Sequence, residues 1–222
     1  MTATTPLLIW SDIDTVLLDM DGTLLDLRFD NYFWLELLPR VYARANRLSL
    51  EAAQADLAPK FAAHRGRLTW YCTDFWSRQL GLNIAALKRR AQSHIAWRPG
   101  AKQFLEKMRA MNKRLVLATN AHRDSLQIKD AQTGLARYFD VLVSSHSYGY
   151  PKEHPDFWRR LQSEHGFDPA RCLFVDDSLP VLHAARAHGV ARLFAVSQPD
   201  SQQAPRHCDE FPAIADLMEL LT

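Results

Sequence analysis

Asp19 and Asp21 stand two residues apart in the stretch Leu17-Leu18-Asp19-Met20-Asp21-Gly22-Thr23-Leu24, directly after an apolar run and directly before a glycine and a hydroxyl. Alternation along a strand sends i and i+2 to one face, so both carboxylates can reach one bound group while Gly22 turns the chain away. Two acids so placed repel. The pair calls for a cation, or for a division of labour in which one carboxylate is charged and the other carries a proton. Taken alone, Asp-x-Asp-Gly is equally a strand-end turn with solvated aspartates.

Three later segments repeat the pattern of an apolar strand delivering polar groups at its end. The run from Arg114 ends in Thr119 and Asn120, the run from Val141 leads past Ser145 to Lys152, and the run from Cys172 ends in Asp176 and Asp177. Each has a plain role of its own: Thr119 a strand terminus, Lys152 a surface lysine, Asp176 and Asp177 the cap of a helix starting near Pro180. Ligands of a parallel sheet meet side chains beyond the carboxyl ends of its strands, so the four ends should converge. Together they offer hard carboxylate ligands for Mg²⁺, a hydroxyl, and a lysine as a point charge for a phosphate.

The elements that must position these groups follow from periodicity. From Asp30 to about Arg98, apolar residues recur at three- and four-residue spacing, which predicts helices over 31–38, 51–63, 70–80 and 84–95 and no strand. Pro99-Gly100 breaks the pattern. Beyond it, helices over 101–111, 124–132, 155–165 and 180–187 alternate with short apolar runs at 114–119, 141–145, 172–176 and 192–196. Such alternation predicts an α/β fold, a Rossmann-like parallel-sheet core with helices on both faces, and makes the helical block an insertion after the first strand.

The set Asp19-x-Asp21-Gly22-Thr23, Thr119, Lys152 and Asp176-Asp177, in that order, resembles the four motifs of the haloacid dehalogenase superfamily from about Val16 to Val196. The segments from Phe29 to Trp34, Trp70 to Cys72, Thr119 to His122, Gly149 to Glu153 and Val175 to Ser178 further resemble its GMP/IMP nucleotidase branch. The resemblance implies a core domain of residues 1–27 and 99–222 and an α-helical cap domain of residues 28–98 that closes over the core site. It also implies a mechanism. Asp19 attacks phosphorus to form an aspartyl-phosphate, and Asp21 gives a proton to the leaving alkoxide and later takes one from water. Mg²⁺ is held by the Asp19 carboxylate, the Asp21 backbone carbonyl and Asp177, with Asp176 a ligand directly or through water. Lys152, Thr119 and backbone amides near Met20 and Asn120 hold the phosphoryl oxygens. An acid at Asp21 favours a phosphatase over a dehalogenase, because a halide leaves without a proton. A phosphomutase shares the intermediate, and a weakly catalytic binding protein on this fold would have lost a motif; none is lost.

Composition bounds the rest. With 222 residues, 47% hydrophobic and 23% charged, the chain can bury one sizeable core and a small accessory domain. A net charge of +2 points to neither nucleic acid nor a membrane surface, and Lys88-Arg89-Arg90 and Arg159-Arg160 are expected to be solvated helix faces. Cys72, Cys172 and Cys208 have no metal-like spacing and cannot all pair, which favours a reducing cytoplasm. Residues 1–10 lack the basic and apolar regions of a leader, and no run approaches a membrane span. His94, His122, His146 and His154 show no metal-ligand pattern and are expected to pack or to support motif residues. The aromatics Tyr32, Phe33, Trp34, Trp70, Tyr71, Phe75 and Trp76 divide between the interior of the insertion and a stacking surface, with Trp34, Trp70 and Tyr71 the candidates to touch substrate. From the residues alone the substrate is a small phosphomonoester; the resemblance narrows it to purine 5′-mononucleotides, GMP and IMP, with phosphoglycolate or a sugar phosphate as alternatives, for a monomer or homodimer.

Overall fold

The computed structural model describes residues 8–221; the first seven, assigned above to the core and to the stretch without a leader, and the last lie outside the described residues. Six strands form one sheet: β1 (Thr15–Leu18), β2 (Arg114–Thr119), β3 (Val141–Ser144), β4 (Cys172–Asp176), β5 (Arg192–Val196) and β6 (Ala213–Ile214). All pairings are parallel, in the order β3-β2-β1-β4-β5-β6. β6 was not foreseen, since a two-residue strand has no periodicity to detect.

The insertion between β1 and β2 carries α1 (Arg28–Asn31), α2 (Leu38–Asn46), α3 (Leu50–Ala62), α4 (Thr73–Leu80) and α5 (Ile84–Arg90); the core adds α6 (Ala101–Ala110), α7 (Arg123–Thr133), α8 (Pro155–His165) and α9 (Leu179–Ala187). Alternate residues of the central strands face opposite layers. Val16, Leu18, Leu115 and Leu117 pack with Phe104 and Met108 of α6 and Ile128 of α7. Leu17, Val116, Ala118 and Phe174 pack with Trp158 and Leu161 of α8 and Leu182 and Ala185 of α9. Burial on both faces is why the strands read as continuous apolar runs. The insertion has a core of its own, Phe33, Leu38, Leu57, Trp76, Leu80 and Ile84, and truncating a buried aromatic such as Trp76 should cost about 3–5 kcal/mol.

Three expected helices differ. The helix expected at 70–80 is a short 3-10 turn, Leu68–Tyr71, followed by α4, whose first turn is capped by Cys72 Sγ accepting from Phe75 N at 3.3 Å. The one expected over 84–95 ends at Arg90 and gives way to a 3-10 turn, Gln92–His94. The first runs further than expected, through Pro39 to Asn46. Proline lacks the N–H of a helical residue and its ring collides with the carbonyl four residues back. The helix accommodates Pro39 by widening into a π turn over Tyr32–Leu37.

Candidate active site

The strand order reverses at β1, where β2 and β4 flank it on either side, and a crevice opens beyond the carboxyl ends there. Asp19 follows β1 directly, its N–H donating to Val175 O at 3.1 Å, and Asp176 closes β4. Gly22 turns with φ of +86°, and a Cβ there would lie 2.8 Å from Asp177 Cγ and 2.9 Å from Pro199 Cβ. The glycine of the first motif therefore makes room for the acid of the last.

Lys152 Nζ donates to Asp19 Oδ1 at 2.5 Å and to Asp176 Oδ2 at 2.7 Å, with all three side chains buried. The lysine is fixed from behind: its N–H donates to Asn120 Oδ1 at 2.9 Å, and its carbonyl accepts from Trp158 Nε1 at 2.7 Å. Thr119 is buried at the end of β2, its Oγ1 accepting from Ala121 N at 3.0 Å. One carboxylate oxygen from each of Asp19, Asp176 and Asp177 lies within 4.8 Å of the others. Burial pushes Asp19 up to about 7, opposed by Lys152 and reinforced by Asp176 and Asp21. Burial likewise lifts Asp177 to about 7 and Asp176 to about 6, each helped by a neighbouring acid. These raised values mark a site short of positive charge.

Asp21 lines the same cleft, but its carboxylate belongs to a second cluster. Lys129 Nζ meets Asp21 Oδ1 at 2.6 Å and Asp30 Oδ2 at 2.5 Å, and Lys88 Nζ meets Asp30 Oδ1 at 2.7 Å. Burial raises Asp21 against the pull of Lys129, while Asp30, despite its burial, is held far below the carboxylate range by Lys129 and Lys88. Lys88 is thus buried and paired, contrary to the solvated face expected of it; Arg89, Arg90, Arg159 and Arg160 are exposed as expected. None of Asp30, Lys88 and Lys129 was singled out from the sequence. The only mark of the two lysines in the sequence is helical spacing to an apolar neighbour, Ile84 four before Lys88 and Ile128 beside Lys129, and it is the fold that shows these faces to be buried.

The cleft holds about 350 Å³, within the range of small-molecule sites. Trp34, Trp70 and Tyr71 line it, together with Trp76 and the unforeseen Phe61. Tyr71 OH donates to Glu153 Oε1 at 2.8 Å, and Glu153 Oε2 accepts from Asn120 Nδ2 at 2.9 Å, which ties the aromatic wall to the Lys152 loop. Phe33 lies in the insertion's core, Tyr32 stacks on His94 at 4.4 Å, and Phe75 packs on His64 at 4.5 Å. His154 caps α8, accepting from Asp156 N at 3.1 Å.

A family model described as haloacid dehalogenase-like hydrolase matches residues 13–189. The chain belongs to this family. It is 40% identical over 212 residues to the GMP/IMP nucleotidase YrfG of Escherichia coli (strain K12), covering 96% of each chain, and 28% identical over 188 residues to a phosphoglycolate phosphatase of Cupriavidus necator, covering 79% of this chain and 77% of that one. Among solved structures, a HAD phosphatase from Thermococcus onnurineus matches with a TM-score of 0.79 at 22% identity, covering 94% of this chain and 96% of that one. An L-2-haloacid dehalogenase from Xanthobacter autotrophicus matches with a TM-score of 0.61 at 21% identity over the same shares. The enzyme is a phosphoric monoester hydrolase of the family, built on its parallel sheet with a helical insertion. Among the described residues no helix is long and apolar enough to cross a membrane.

Proposed function

We propose that the enzyme is a Mg²⁺-dependent 5′-nucleotidase that hydrolyses GMP and IMP through an aspartyl-phosphate on Asp19. The observation that carries the chemistry is Asp19 held by Lys152 beside Asp176 and Asp177, with Asp21 on the same cleft. Asp19 attacks phosphorus as the bond to the leaving oxygen breaks, and Asp21 donates its proton to that oxygen. Burial raises Asp21, which suits a group that must begin protonated. It then takes a proton from the water that cleaves the acyl phosphate and frees Asp19. Lys152 holds the nucleophile and the phosphoryl oxygens together, and Thr119 and the Asn120 amide receive those oxygens.

The donor set fits a hard divalent cation, being carboxylate oxygen throughout. Asp176 already has Oδ2 on Lys152 and Oδ1 accepting from Ser178 N at 2.8 Å, so Asp177 is the better direct ligand, with Asp19, the Asp21 carbonyl and Asp176, directly or through water, completing the set. When bound, the cation supplies two positive charges against the nucleophile and the phosphoryl oxygens.

The helical insertion, about residues 28–98, acts as a cap whose aromatic wall of Trp34, Trp70 and Tyr71 stacks the purine. The nucleotidase relative, covered almost end to end, favours that substrate over other small esters. Three unpaired cysteines fit work in the cytoplasm. A phosphate-release screen over GMP, IMP, AMP, sugar phosphates and phosphoglycolate with Mg²⁺ tests the reading: kcat/KM highest for GMP and IMP supports it, and a clear preference for another ester overturns the substrate while leaving the chemistry.

A further inference from the structure

A second group of metal-competent side chains lies away from the strand-end acids. Cys72 precedes α4 in the insertion, His122 follows Asn120 and Ala121 after β2, and His146 sits in the 3-10 turn Ser145–Ser147 after β3. Sequence spacing gave no hint of a metal pattern among these residues, because the three come from separate elements. The fold brings Cys72 Sγ and one ring nitrogen of each histidine within 4.8 Å of one another.

Each histidine is already oriented by a protein partner. His122 Nδ1 lies 2.7 Å from Thr73 Oγ1, and Thr73 also donates to Asp124 Oδ2 at 3.2 Å. Asp124 N also donates to Nδ1 at 3.4 Å, which places the ring hydrogen on Nε2; binding an ion at Nε2 requires the other tautomer, with Nδ1–H donating to the closer Thr73 hydroxyl. His146 Nε2 is buried with no hydrogen-bond partner among the described residues. A buried nitrogen without a partner is costly unless something fills the position. Burial, with Arg123 nearby, lowers His146 to about 4, so its imidazole is neutral at physiological pH, the form that binds metal. Rings held at one nitrogen and open at the other are the usual arrangement of metal-bound histidine.

We propose that Cys72, His122 and His146 form a transition-metal site, taking Zn²⁺ or a similar borderline-soft divalent ion, that clamps the helical insertion to the core. One thiolate and two imidazoles suit such an ion and not Mg²⁺. Donors sharing one tetrahedral Zn²⁺ at about 2.0–2.3 Å lie ~3.3–3.6 Å apart, so binding draws the group together by up to roughly 1.5 Å. Asp74, its Oδ2 3.7 Å from His122 Nε2, adjoins the group from the His122 side and is the nearest oxygen for a fourth ligand position. Cys72 adjoins Tyr71, whose hydroxyl is tied to Glu153, so an ion here would fix the aromatic wall over the cleft.

The site is independent of the substrate reading and is tested without turnover. Full-length protein, reduced and metal-stripped, is titrated with Co²⁺ in excess Mg²⁺. We expect a thiolate-to-cobalt charge-transfer band saturating at one equivalent, displaced by Zn²⁺, and a rise in melting temperature of ~5 °C with Zn²⁺ at a hundredfold above its Kd. Cys72→Ser should abolish the band and His146→Ala should weaken binding at least tenfold, while Cys208→Ser and Asp177→Asn keep it. No band in the wild type, or a band surviving Cys72→Ser, overturns the site. Because the wild-type titration is decisive by itself, a variant that fails to fold does not rescue the idea.

Discussion

The two charge clusters that face each other across the cleft are built to opposite specifications. The strand-end cluster sets Asp19, Asp176 and Asp177 against Lys152, with Arg206 3.8 Å from Asp177 Oδ2, and is left with a surplus of one negative charge; the cluster joining the insertion to α7 sets Asp21 and Asp30 against Lys88 and Lys129 and balances when both acids are ionised. The first three carboxylates are raised to about 7, 6 and 7; in the second cluster Asp30 is held below its ordinary range by its lysines, while burial raises Asp21. A surplus kept under burial has use only if something arrives to balance it, whereas a balanced buried network has its work done once the chain has folded. On the proposed reading the first cluster is the centre that takes a cation, while in the second Asp30 and its two lysines anchor the insertion and Asp21 serves the chemistry.

The sharpest test of the contrast is to remove the nucleophile. Asp19→Asn should lower turnover by on the order of 10⁴-fold or more in freshly purified protein, because an amide is a very poor nucleophile; substantial activity would sink the covalent route. Chelation should silence the wild type and Mg²⁺ should restore it, with Asp177→Ala raising the Mg²⁺ requirement or eliminating turnover, and full activity in excess EDTA would exclude the cation.

The anchor should fail through stability. Asp30→Ala strands Lys88 in the interior and leaves Lys129 with Asp21 alone, and breaking a buried pair costs about 3–5 kcal/mol, which thermal or urea unfolding would detect. An unchanged midpoint would show that the network does not hold the insertion.

Smaller effects divide specificity from chemistry. Trp34→Ala, Trp70→Ala or Tyr71→Ala should lower kcat/KM for GMP and IMP by roughly 5- to 150-fold, the equivalent of losing ~1–3 kcal/mol of stacking, while p-nitrophenyl phosphate is spared. Equal losses on both substrates with lower melting temperatures would reduce these rings to packing.

The smallest effect is on pH. In the absence of cation Asp177, raised to about 7, is a destabilising charge in the native state, so its contribution to stability falls as pH rises from about 4 through 7. Asp177→Asn in EDTA should therefore melt a few degrees above the wild type at pH 8, with the gain vanishing as pH falls toward 4. A gain independent of pH would place its cause elsewhere.

The difference between the clusters also explains what the sequence revealed. Asp19, Thr119, Lys152 and Asp176 could be picked out because strand ends announce themselves: an apolar run stops and a polar group follows. Helices gave no such punctuation. Lys88 lies in a basic run that looks solvated, and only Asp30, fifty-eight residues away, makes its burial tolerable. Trp34, Trp70 and Tyr71 do reach the cleft, but Phe61 reaches it from the end of α3, where nothing local distinguishes it from core. Groups that acquire their setting from distant partners, Cys72 with His122 and His146 among them, stay silent until the chain is folded.

The π turn ahead of Pro39 has an evolutionary consequence. Asn31, Trp34 and Leu35 line the cleft from this stretch, and Asn31 Nδ2 also donates to Asp200 Oδ2 at 2.6 Å. A π turn holds one residue more than regular helix needs, and each helical residue accounts for about 100° of rotation. Losing a single codon within 32–37 would let the helix regularise and swing what precedes it around the axis, carrying Asn31 off Asp200 and Asp30 off Lys88 and Lys129 and changing the residues presented to the cleft. Lys152 and the strand ends would not move. A one-residue deletion there would thus redraw the cleft wall at the expense of the Asp30 anchor, leaving Asp19, Lys152 and Asp176 in place.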